Sequence, residues 1–222
     1  MHTQMIVPYQ NLNKGRYSNM TDLSFIKEKS ALVIVDMQNA FIHPEGSLSK
    51  MGIDTTRSSI VIEPIKKLKA EFKKHNRPVI YIQHTHRPDG LDAGLVAKVF
   101  PPIMKFGHCF DGTWDADFTE ELTPDNDDII VKKHRYSAFY NTQLEDILRE
   151  LGVEILVVTG LATNVCVEST VRDAFYRDFN VFVPREATAS FTEESELGAI
   201  GNFQFAFARV NTVEDLINEL NK

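Results

Sequence analysis

Residues 31–36 read Ala31-Leu32-Val33-Ile34-Val35-Asp36, five apolar residues in a row closed by a carboxylate. A strand with one wet face alternates apolar and polar side chains. An unbroken apolar run fits a strand covered on both faces, as in a parallel sheet packed between helices. The same grammar recurs at residues 78–82, 128–131, 154–159 and 181–183, with a shorter run at 208–210. Helical spacing fills the gaps. Val61, Ile65, Leu68 and Phe72 fall at i, i+4, i+7 and i+11, and Leu144, Ile147, Leu148 and Leu151 at i, i+3, i+4 and i+7. Val213, Leu216, Ile217 and Leu220 repeat that spacing behind Thr212, a candidate N-cap with Asp215 three residues on. Residues 164–179 also read as helix, with Glu168 and Arg172 one turn apart.

Strand alternating with helix implies a three-layer, doubly wound (Rossmann-like) α/β fold. The expectation is a mostly parallel, six-stranded sheet in the order 3-2-1-4-5-6. Residues 30–222 are expected to form a single domain. Residues 1–29 read as a polar N-terminal arm of the kind that packs over a neighbouring element or subunit. Residues 84–127 carry few periodic signals but hold several glycines and prolines. A connection that long inside a compact domain is expected to be a lid, a substrate loop or an interface.

The net charge of −7 excludes a sequence-independent grip on nucleic acid and argues against binding an anionic membrane surface. Two cysteines, Cys109 and Cys166, do not make a disulfide framework. No run has the form of a signal peptide or the length of a bilayer span. The expected location is the reducing cytoplasm, where a thiol stays free.

Open α/β sheets bind ligands beyond the carboxyl ends of their strands. Asp36 follows the first strand, a lysine pair (Lys132, Lys133) the third, and Cys166 the fourth. A carboxylate at the edge of an apolar core has its pKa raised by desolvation, which suits a group that takes and returns a proton. Cys166 sits in the first turn of the expected helix, where the helix dipole favours thiolate, and a neighbouring lysine adds to that effect. Taken alone, Cys166 reads more readily as a buried inert thiol than as a catalyst, and Asp36 equally well as a turn cap. Spacing does not choose between Lys132 and Lys133.

Three segments together resemble a known family. Leu32-Val-Ile-Val-Asp-Met-Gln-Asn-Ala-Phe41, Lys132-Lys-His-Arg-Tyr-Ser-Ala-Phe139 and Gly160-Leu-Ala-Thr-Asn-Val-Cys-Val-Glu-Ser-Thr170 are similar, in order, to the aspartate, lysine and cysteine motifs of the isochorismatase-like cysteine hydrolases. The resemblance implies a catalytic triad of Asp36, Lys133 and Cys166. It also implies a cis peptide at Leu161–Ala162 and an oxyanion hole formed by the backbone N–H groups of Ala162 and Cys166. The implied activity is cofactor-free hydrolysis of a C–N bond in a small amide or ureido compound. Asp54-Thr-Thr-Arg57, Arg135-Tyr-Ser137, Phe139-Tyr-Asn-Thr142 and Asn164–Thr170 bring the likeness nearest to the branch that hydrolyses ureidoacrylate in pyrimidine breakdown. Biuret hydrolase and N-carbamoylsarcosine amidase are relatives with the same chemistry.

Phe41, Tyr136 and Phe139 are expected as pocket walls, with Gln83, Trp114 and Gln38 as further candidates. Arg87, Arg135 and Arg177 are candidates to meet a substrate carboxylate. His84-Thr-His86 is a candidate ligand pair of the kind the nicotinamidase branch uses, but no aspartate-containing partner motif lies between Asp36 and Pro78, and no metal is expected. Cys109 is expected to pack. The family resemblance implies a homo-oligomer, dimer or tetramer. The readings weighed against a ureidoacrylate-type amidase are a nicotinamidase, a biuret or N-carbamoyl amino acid amidase, and a catalytically silent homologue that binds a small ligand or partner.

Overall fold

The computed structural model describes residues 26–222. Residues 1–25 of the expected arm lie outside the described residues. Its last four, Ile26–Lys29, form a helical turn with Ile26 fully buried.

Seven strands make one sheet: β1 (Ser30–Val35), β2 (Val79–His84), β3 (Ile129–Lys133), β4 (Ile155–Leu161), β5 (Asn180–Pro184), β6 (Thr188–Ala189) and β7 (Arg209–Asn211). The order is β3-β2-β1-β4-β5-β7, with β6 paired to β4, and every pairing is parallel. This is the expected order with one strand added. β6 spans only two residues, too few to show a periodicity, so the expected sixth strand is the seventh in the chain.

All six residues of β1 and all seven of β4 are buried, as the unbroken apolar runs require. Their side chains alternate between two cores. Leu32 and Ile34 face one core with Ile65, Leu68 and Phe72 of helix α1 (Ile62–Lys74). Ala31, Val33 and Val35 face the other, with Leu144 and Leu148 of α2 (Leu144–Glu150) and Val171 and Ala174 of α3 (Glu168–Phe175). Each such side chain contributes about 1.5–3 kcal/mol when fully buried, so two covered faces give this sheet its rigidity. Helix α4 (Glu193–Asn202) was not legible as a periodic pattern, whereas α5 (Val213–Leu220) carries the expected capping box, Thr212 with Asp215. No described helix is long and apolar enough to cross a membrane.

Gly160 in β4 has φ +105, and a Cβ there would overlap the Val35 carbonyl. Glycine therefore lets β4 close against the end of β1 beside Asp36. The long connection, residues 85–128, holds two four-residue helices, Val96–Val99 and Pro102–Lys105, and is pinned to the sheet by side chains. Gln38 donates to His84 O at 2.9 Å and Ala116 O at 2.7 Å and accepts from His84 N at 2.8 Å. Asn39 donates to Trp114 O at 2.8 Å.

Candidate active site

Three strand ends converge. Asp36 leaves β1 with φ +53, a conformation uncommon for a residue with a side chain and enriched at functional sites. Lys133 is the last residue of β3. Beyond β4 the Leu161–Ala162 peptide is cis, and a single π turn, Thr163–Val167, carries Cys166 into α3. The helix expected over 164–179 is thus a π turn followed by a shorter α-helix, a form frequent at functional sites.

β3 lies two places from β1, so Lys133 must cross the end of β2 to reach Asp36. It does so above His84, its partner in register. The Lys133 Nζ stands 2.8 Å from Asp36 Oδ2, 3.0 Å from His84 Nδ1, 3.1 Å from Arg135 O and 3.4 Å from Cys166 Sγ. Lys133 and Asp36 are fully buried and Cys166 almost so. Strand alternation turns Lys132 the other way, where it is exposed and pairs with Asp111 at 2.6 Å.

Burial raises the Asp36 carboxyl above its ordinary range, against the pull of Lys133. Burial also opposes the Lys133 charge, but Asp36 and Cys166 outweigh it and leave the ammonium more basic than usual. For Cys166 the expected thiolate is corrected. Burial pushes the thiol up, Asp36 adds to that, and Lys133 only partly offsets both. The resting group is a thiol beside a carboxylate. Lys133 meets Asp36 Oδ2 as an ion pair, yet neither carboxylate oxygen has an aligned hydrogen-bond donor. The carboxylate therefore keeps acceptor capacity.

The Cys166 turn is clamped from both sides. Thr170 Oγ1 donates to Cys166 O at 2.7 Å and accepts from Ala138 N at 3.0 Å, tying it to the segment after Lys133. On the far side, Thr188 Oγ1 in β6 donates to Gly160 O at 3.0 Å, and Ser190 Oγ donates to Asn164 Oδ1 at 2.8 Å.

The other expected residues divide. The Phe41 ring lies 5.1 Å from that of His108 and 6.3 Å from that of His84, at the edge of the site. Tyr136 is partly exposed, and partial burial of its hydroxyl, with Cys166 nearby, raises its pKa. Phe139 packs into the core, 5.9 Å from Phe179 and under the Arg177 guanidinium. Gln83 donates to Ala116 O at 2.9 Å, a strand-end hydrogen bond, and Trp114 packs edge-on to His43. Arg87 is taken by Asp89, and Arg177 by Glu145 and Asp173. Arg135 touches Lys133 through its carbonyl, but its guanidinium donates to the carbonyls of Asp92 and His134.

Sequence reasoning missed a histidine cluster around Lys133. His84, His86 and His108 are buried, and His84 Nε2 lies 2.9 Å from His86 Nε2. Burial holds all three imidazoles neutral, with His108 pushed down to about 4. His84-Thr-His86 was the signal, read only for metal. Asp36–His84–Cys166 and His86–Asp92–His134 do have metal-ligand composition. Three of their nitrogens already face protein groups, however: both of His84 as above, and His134 Nδ1 toward Thr85 O at 2.7 Å.

Comparison with known proteins gives the family. The family profile described as "Isochorismatase domain" matches residues 30–215. Ureidoacrylate amidohydrolase RutB of Methylorubrum extorquens is 35% identical over 204 residues, covering 86% of this chain and 82% of the relative. Among solved structures, a cysteine hydrolase from Pseudomonas syringae pv. phaseolicola superposes with a TM-score of 0.80 at 29% identity, over 87% of this chain and 92% of that one. N-carbamoylsarcosine amidase from Thermoplasma acidophilum gives 0.70 at 30% identity, over 84% and 97%. The chain belongs to the isochorismatase family.

Proposed function

We propose that this protein is a cysteine amidohydrolase. It cleaves the C–N bond of a small ureido or carbamoyl amide of the ureidoacrylate type through an S-acyl intermediate on Cys166. The observation that carries the reading is the convergence on one buried ammonium, Lys133, of the Asp36 carboxylate at 2.8 Å and the Cys166 sulfur at 3.4 Å.

Asp36 accepts the thiol proton as sulfur attacks the substrate carbonyl, so the thiolate exists only while it reacts. Lys133 offsets the charge that moves onto sulfur. The backbone N–H groups of Ala162 and Cys166 donate to the oxyanion, and one such donor is worth on the order of 3 kcal/mol. Collapse expels the amine, which takes the proton back from Asp36. Water then cleaves the S-acyl bond with Asp36 again as base, restoring the thiol. Phe41 and Tyr136 wall the pocket. The core packing of Phe139, the strand-end hydrogen bond of Gln83 and the exposed His43 contact of Trp114 support a supporting role for those three. No step calls for a cofactor. A homo-oligomer, dimer or tetramer, in the reducing cytoplasm completes the reading.

Ammonia release from a panel of ureidoacrylate, biuret, N-carbamoyl amino acids and nicotinamide tests it. The expected result is preferential turnover of ureidoacrylate. Preference for nicotinamide or biuret would move the protein to another branch, and turnover of none would favour the silent homologue.

A further inference from the structure

Lys133 has more acceptors around it than protons to give. Asp36 Oδ2, His84 Nδ1, Arg135 O and Cys166 Sγ lie 2.8, 3.0, 3.1 and 3.4 Å from its Nζ. An ammonium has three N–H groups and no lone pair, so His84 Nδ1 can only accept. A neutral imidazole that accepts at Nδ1 carries its proton at Nε2. His84 Nε2 lies 2.9 Å from His86 Nε2, so His84 donates there and His86 accepts. The His86 proton is then on Nδ1, which has no hydrogen-bond partner and faces Asp92 Oδ1 at 3.6 Å. Asp92 is itself held by the Arg87 N–H at 2.9 and 3.0 Å. One tautomer assignment satisfies both hydrogen-bonded links: donation runs in a single direction from Lys133 to His84 and from His84 to His86, whose remaining N–H faces a carboxylate. His84 is 3% exposed and His86 1%, so solvent offers neither ring an easy alternative.

We propose that His84 is a positioning residue for the hydrolysis described above, holding the Lys133 ammonium between Asp36 and Cys166 through an Nδ1 acceptor whose tautomer is locked by the hydrogen bond to His86. The proposal rests on Cys166 being the nucleophile. Its consequence lies in the proton count. With two Lys133 protons committed to His84 Nδ1 and Arg135 O, one remains for the Asp36–Cys166 pair. That proton lies toward Cys166 Sγ at 3.4 Å, while the Asp36 carboxylate is held at 2.8 Å by charge alone. Lys133 thus already faces the sulfur that becomes negative as the thiol proton passes to Asp36, and meets that charge without leaving its place.

Two measurements test this. The first needs no variant: long-range ¹H–¹⁵N correlation of the imidazoles at neutral pH, with His84→Asn used to assign the His84 signals. The expected signature is a protonated Nε2 in His84 and a protonated Nδ1 in His86; the opposite tautomer in either ring overturns the proposal. The second compares His84→Leu with His84→Asn, whose amide oxygen can stand where Nδ1 stood. His84→Leu is expected to lower kcat for ureidoacrylate about 100-fold with KM nearly unchanged, the scale of loss seen when a catalytic group is misplaced by about 1 Å. It should also slow iodoacetamide alkylation of Cys166 about tenfold, and His84→Asn should recover most of both losses. A His84→Leu protein with parental kcat and alkylation rate, or a folded His84→Asn as impaired as His84→Leu, overturns it. Should His84→Leu fail to fold, the tautomer signature and His84→Asn still decide. Turnover retained by Cys166→Ala would instead sink the nucleophile reading and leave the tautomers as they are.

Discussion

Cys166 and Cys109 are both buried, and burial raises both thiols above their ordinary pKa. They sit in different cores: Cys166 on the sheet face covered by α2 and α3, Cys109 on the face covered by α1 and α5. Their neighbours differ more. Cys166 has an ammonium at 3.4 Å and shares it with a carboxylate. Cys109 has the Gln38 amide at 3.9 Å and the neutral His108 ring at 3.8 Å, while Asp115 opposes any charge on it. The difference teaches that a shifted thiol pKa does not mark a nucleophile. On the proposed reading, what marks it is a base to take the proton and a cation to receive the charge.

The sharpest way to break the comparison is to remove each thiol. Cys166→Ala is expected to lower kcat about 10⁶-fold, the scale found when a nucleophile is deleted from a catalytic triad. Cys109→Ala should leave turnover within about 3-fold and cost on the order of 1 kcal/mol of stability as a small cavity. Steady-state kinetics and denaturant melts read both, and equal losses of activity would erase the distinction.

Lys133→Met tests the cation. Activity should fall about 10³-fold, the scale set by losing a buried group that stabilises developing charge. The orphaned Asp36 should cost up to about 3–5 kcal/mol, less whatever it recovers by taking up a proton. Asp36→Asn added to Lys133→Met should return much of the stability and none of the activity. A Lys133→Met protein as stable as the parent would show that the pair is not coupled as described.

The smallest effect is in pH. A thiol whose folded pKa is raised stabilises the fold below the unfolded value and loses that contribution as pH rises. Both cysteines are in this class, so Tm should begin to fall above about pH 8.5, where unfolded thiols ionise. Cys109→Ala should flatten that limb. Lys133, also raised, adds its loss above about pH 10.4. On the acid side the sign reverses for His108, which burial pushes down from 6.5 to about 4. Its contribution is complete above 6.5 and lost as pH falls toward 4, so His108→Gln should flatten the acid limb. Melting curves across pH check both limbs.

Much of this was readable from the chain. Apolar runs located the strands because both sheet faces are covered, and helical spacing located α1, α2 and α5. Asp36, Lys133 and Cys166 were legible because strand ends are where such a sheet exposes side chains to one another. What stayed hidden had physical reasons. β6 is too short to show a period, and α4 carries Gly198 and Gly201 with little apolar asymmetry. The links that pin the long connection join residues far apart, as when Gln38 reaches Ala116, 78 positions on. The resting state of Cys166 also resisted reading. A helix start and a lysine both argue for thiolate, and the depth of burial, with Asp36 alongside, reverses them.

The central claim is an acyl group on Cys166. The direct measurement is rapid acid quench during turnover of the best substrate in the panel, followed by intact mass and peptide mapping. The account predicts an adduct with the mass of the substrate less its leaving amine, confined to the peptide carrying Cys166 and absent from Cys166→Ala. Turnover by Cys166→Ala at the parental rate, with no adduct on the parent protein, would contradict it.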